Sequence, residues 1–178
     1  GLIMELFSNL SKSEEENLSQ DLSLLIVNHT IKFYNSVIPN LEEQYEEASS
    51  DKTKLEFYCF TYQLTDRLAD LTFSAPERIR LLDMVDRYTH TLFLDNINRP
   101  DLQTKLTELI NERQYQYGQF SFMTEQMTDT IFFEFGKILA KTISFELDPQ
   151  VYLSGMLVVE PAAEFMEELP KLYSKHMG

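Results

Sequence analysis

The chain has no tryptophan and a single cysteine, Cys59, among its 178 residues. One thiol excludes an intrachain disulfide and any paired-cysteine metal site, and it makes a reducing compartment, the cytoplasm, the expected location. Glycine is scarce, at five residues, so no glycine-rich loop is available to cradle a phosphate. No Asn-Gly or Asp-Gly pair marks a hairpin, and no sustained two-residue alternation marks a strand. Basic side chains are outnumbered, 15 against 29 acidic, for a net charge of −14. That surface repels phosphate backbones and anionic headgroups, so no nucleic acid and no membrane surface is expected as a partner, whereas a basic protein is. No apolar run approaches the roughly 18 residues of a membrane span. No basic stretch leads into an apolar one at the start, so a signal peptide is not expected. Gly1, where a natural chain normally begins with Met, reads as a remnant of expression, and the Asn-x-Ser/Thr triplets at Asn9, Asn17 and Asn28 read as coincidence.

What is present is apolar weight carried by 13 phenylalanines, 9 tyrosines and many leucines. Folding a chain of this length hides roughly 70% of its extended surface, enough for a core without staples. The few glycines and prolines fall between segments of helical periodicity, so the expected fold is an all-α, single-domain bundle of six or seven helices with an aromatic core. Residues 1–12 form a short amphipathic piece with apolar side chains at 2, 3, 6, 7 and 10, and residues 13–178 form the helical domain. Ser13 and Glu16 have the spacing of a capping box that opens a long helix ending at Pro39. A second helix over about 52–73 is apolar on two sides, as a central helix would be. Ser74-Ala-Pro-Glu77 predicts a capped third helix to about Asp95, with Glu77 completing the box. A fourth begins at Asn98-Arg-Pro-Asp and stops near Gly118, and a fifth is expected over about 121–145. A short helix follows near 149–158, and a last one from Pro161 should kink or break at Pro170.

Two polar residues sit where apolar ones belong. Leu55, Cys59, Tyr62, Ala69 and Phe73 share a helical face with Asp66, and Leu18, Leu22, Leu25 and Phe33 share one with His29. A carboxylate in such a place needs a cation, and Arg78, Arg80 or Arg87 of the next helix could supply it. Alternatively His29, Tyr62, Asp66 and Arg87 line a small polar pocket for an anionic ligand or for acid–base work. Glu134, within Ile131-Phe-Phe-Glu-Phe-Gly136, falls at the border of its helix's apolar arc and is expected to pair with Lys137 at the surface. Asp83 and Asp86 are expected to pair with Arg80 and Arg87, and Met123 and Met127 to fill core.

Metal and nucleophile motifs are missing. There is no Glu-x-x-His pair, no His-Glu-x-x-His and no Gly-x-Ser-x-Gly elbow, while Cys59 lies in an apolar run that leaves a thiol inert. No cofactor and no metal is expected. The functional expectation is a non-enzymatic interaction or regulatory module, a homodimer, docking through its acidic faces or its N-terminal piece. The alternative is a ligand-binding bundle or enzyme built on the His29 pocket.

Overall fold

A computed structural model describes residues 5–177. These residues form α-helices and short 3-10 turns, with only an isolated bridge between Ser121 and Thr130 in place of strand. The helices are α1 (Lys12–Val37), α2 (Asp51–Thr72), α3 (Ala75–Met84), α4 (His90–Asn96), α5 (Gln103–Tyr117), α6 (Ile131–Ile143), α7 (Pro149–Gly155) and α8 (Val159–Met177). A π-turn, Val85–Thr89, joins α3 to α4, so the single third helix expected from sequence is one rod carrying a π-turn. Among the described residues no helix is long and apolar enough to cross a membrane.

α1 begins two residues earlier than the Ser13 reading. Ser11 is the extended cap residue; its hydroxyl accepts from Glu14 N at 3.2 Å, and its own N–H donates to Glu14 Oε2 at 3.4 Å. The sequence holds two overlapping Ser-x-x-Glu frames, and the earlier one adds a half-turn of helix. At α3, Ser74 caps Glu77 N as expected, but the Glu77 carboxylate does not return to complete a box. It accepts instead from the N–H groups of Leu6 (2.9 Å) and Phe7 (2.7 Å), tethering the N-terminal segment. Leu6 and Phe7 are buried in the core, so the described part of that segment packs inward; Leu2 and Ile3 lie outside the described residues.

α2 is the central helix, with 15 of its 22 residues buried. Around it the aromatic side chains interlock: Phe60 stacks on Phe135 with ring centroids 4.4 Å apart, Tyr58 stacks on Phe93 at 4.4 Å, and Phe57 meets Phe135 edge-on at 5.1 Å. Such pairs add about 0.5–1.5 kcal/mol each beyond burial. The accessible surface, 9303 Å², is what area scaling gives for a compact monomer of 20.9 kDa, about 9,000 Å².

Arg67 of α2 donates to the carbonyls of Tyr117 and Phe120, both at 2.8 Å, and so ties down the turn in which α5 ends. Apart from a 3-10 turn at Met127–Asp129, the chain then leaves helix until Ile131, ten residues beyond the expected start at 121. Residues 121–130 close on themselves through Ser121 N to Asp129 O (3.0 Å) and Ile131 N to Ser121 O (2.9 Å), and Thr130 caps α6. Polar and exposed, this loop has no apolar stripe to bury, and Met123 and Met127 project into solvent rather than filling core. α6 crosses α7 at Gly136 and Gly155, where a Cβ on Gly155 would lie 2.7 Å from Gly136 Cα. α8 runs unbroken through Pro170.

Candidate functional site

Asp66 is a buried ion-pair member. Its Oδ1 accepts from Arg78 Nε at 2.7 Å and its Oδ2 from Gln114 Nε2 at 2.6 Å, while Arg78 also reaches the exposed Asp70 at 3.3 Å. His29 is buried on α1 and faces Glu168 of α8, its Nε2 3.2 Å from Oε2. Tyr62 donates to Asp86 Oδ1 at 3.0 Å, and Arg87 reaches Glu15 of α1 at 3.9 Å. The four residues expected to line one pocket thus sit in four separate arrangements. The expected Arg80 and Arg87 pairs with Asp83 and Asp86 do not form either, since Arg80 approaches Glu77 and Asp86 binds Tyr62 and His90.

The π-turn positions a small relay. Tyr58 Oη lies 2.6 Å from His90 Nδ1, and His90 Nε2 lies 3.1 Å from Asp86 Oδ1, which also accepts from Tyr62. Burial, with Asp86 beside it, holds the Tyr62 hydroxyl protonated far above its usual range. The cavity there measures about 110 Å³, well below the roughly 300 Å³ of a small-molecule pocket. Cys59 is sealed in the core, and burial raises its thiol well above the usual range, which matches an inert structural cysteine. Glu134 is buried rather than at the surface, yet it does pair with Lys137 (3.1 Å), and Gln116 Nε2 donates to it at 2.7 Å.

A different site stands out by charge. Lys52 on α2, Lys105 on α5 and Lys141 on α6 surround a hollow of about 250 Å³ floored by Leu55 and Leu109 and edged by Phe145. Lys105, Leu109 and Arg113 follow at four-residue intervals and therefore share one face of α5. Arg113 is committed to the buried Glu56 through contacts of 2.7 to 3.1 Å. Burial pushes the Glu56 carboxyl up, and the Arg113 fork partly offsets it. The three lysines have no carboxylate within ion-pair distance among the described residues, although acids outnumber bases almost two to one in the chain. Phe145 follows the α6 cap residue with φ 63° and is 79% exposed. That left-handed position normally holds glycine, and a side chain there costs roughly 1–2 kcal/mol.

Sequence reasoning missed this hollow. The four-residue spacing on α5 was readable, but the meeting of three helices and the backbone of Phe145 were not. Comparison of the chain with protein-family models, with curated proteins and with solved structures found no match in any of the three.

Proposed function

We propose that the protein is a non-enzymatic interaction module of the cytoplasm, and that the lysine-rimmed hollow docks an acidic segment of a partner carrying an apolar side chain. The observation that carries this reading is the exposed Phe145, in a backbone position that disfavours it, beside three unpaired lysines on an otherwise acidic molecule. Strained and exposed residues of this kind persist where something other than stability retains them. Bulk charge alone favoured a basic partner; at this hollow the local charge is reversed, and the complementary segment is acidic. The homodimer expected from sequence is the case in which that segment belongs to a second copy.

The test uses a labelled helical peptide of glutamates with leucine every third or fourth position, followed by fluorescence anisotropy. Wild-type protein should bind it. Phe145→Gly should lose binding while holding or raising stability by up to about 1 kcal/mol, because glycine suits the left-handed position. Unchanged binding by Phe145→Gly and by Lys105→Glu would sink the proposal. Sedimentation velocity of the chain alone, wild type against Phe145→Gly, reports whether the docked segment is its own.

A further inference from the structure

A second arrangement lies at the seam of α1 and α8. His29 is 1% exposed and is held between the rings of Phe33 and Phe165, at 6.2 and 5.0 Å. Its Nδ1 lies 3.0 Å from the Leu25 carbonyl oxygen. A carbonyl only accepts, so Nδ1 carries a proton and Nε2 is the ring nitrogen turned towards Glu168. That atom is buried and makes no hydrogen bond. Glu168 Oε2 is 3.2 Å away, close enough for one, yet not in hydrogen-bond geometry. Glu164 is one turn earlier on the same face of α8, and one ligand atom from each of the three residues lies within 4.8 Å of the others.

A lone pair set against carboxylate oxygens is repulsive unless a cation lies between them. A proton on Nε2 would do this along the N–H axis, but the oxygen is out of line. A metal on that axis does it for an oxygen lying off it, because two ligands about 2.0–2.1 Å from a tetrahedral ion stand roughly 3.3 Å apart. We propose that His29 Nε2, Glu164 and Glu168 bind one zinc ion, with a fourth position left to water. The Leu25 carbonyl is the outer partner that orients the ring, as in most metal-bound histidines. The imidazole nitrogen favours zinc over calcium or magnesium, which take oxygen ligands. Glu164 and Glu168 are 50% and 39% exposed at the side chain, so both can rotate to close the distance. One cation already competes: Lys32 Nζ stands 3.2 Å from Glu164 Oε1. It is half-exposed and weakly held.

That competition makes the proposal testable without disturbing the core. The full chain is titrated with zinc sulfate against a chromophoric chelator, and the histidine nitrogen resonances are followed by NMR. One zinc per chain is expected, with the His29 Nε2 resonance displaced. Glu168→Gln should weaken binding ~10-fold or more, the scale on which metal sites respond to a lost partner. Lys32→Gln should tighten it a few-fold, which a merely structural Lys32 would not do. Both positions are solvent-accessible, so neither variant depends on repacking around His29. Absence of stoichiometric binding, an undisturbed His29 Nε2, or affinity indifferent to Glu168→Gln would each overturn the site; the last would mean the ion sits elsewhere on the acidic surface.

Discussion

Asp66 and Glu56 are both carboxylates on buried faces of α2, and each is held by an arginine from another helix. For Asp66, Arg78 is one of the three arginines that the sequence offers as a partner, and the contact is there. Asp66→Asn should therefore cost about 1.5–3 kcal/mol in urea unfolding, the range for charged hydrogen bonds, since it weakens the Arg78 contact. Glu56 carries a pH signature. Burial raises its folded-state value above the ordinary 4.5, so the ionised group detracts from stability at neutral pH, and that deficit shrinks as pH falls through the folded value. Arg113→Met removes the offsetting cation and should raise the folded value further. The expected loss is about 3–5 kcal/mol near neutral pH, narrowing as the solution is acidified towards the ordinary value. Urea melts of both proteins at about pH 7 and about pH 5 check this, and a gap that stays constant would refute it. Asp66 was legible because its neighbours are on its own helix. Glu56 escaped notice because its burial depends on α5.

At the scale of elements, helix identity followed the 3.6-residue pattern, while termini followed hydrogen bonds that the pattern does not contain. Ser11 rather than Ser13 opens α1, and Glu77 serves a segment about 70 residues away instead of its own helix start. The ten residues before α6 were misread because their helix-compatible composition hides a closed loop tied by Ser121, Asp129 and Ile131. The α6–α7 crossing is the tightest element contact and yields a sharp expectation. A Cβ at Gly136 would collide with the Tyr152 carbonyl, a backbone atom that no rotamer change can move. Gly136→Ala should force the helices apart and cost about 1–3 kcal/mol or more, measured by thermal unfolding. A near-neutral result would mean that α7 is free to shift along α6.

For the whole molecule, salt should act in two opposite directions. A net charge of −14 repels itself, and this destabilises the compact state at low ionic strength. The Debye length falls from about 30 Å at 0.01 M to about 10 Å at 0.1 M, so Tm should rise with added salt over that range. Docking of an acidic peptide at the lysine hollow should weaken over the same range, because it draws on attraction between the same mobile charges. Calorimetry and anisotropy in matched buffers separate the two, and parallel changes would contradict the charge reversal at the hollow.

Composition and periodicity alone determined that this chain is all-helical, aromatic-cored and built around α2, because those properties depend on neighbours three or four residues apart. Only the tertiary structure decided where the polar groups meet. It dispersed His29, Tyr62, Asp66 and Arg87, and it brought Lys52, Lys105 and Lys141 together from three helices. It also placed Glu164 and Glu168 over His29, about 135 residues away in the chain. Those contacts join helices whose relative rotation is set by packing of the aromatic core. A helical wheel shows which way a side chain faces on its own helix, and it contains no term for what stands opposite.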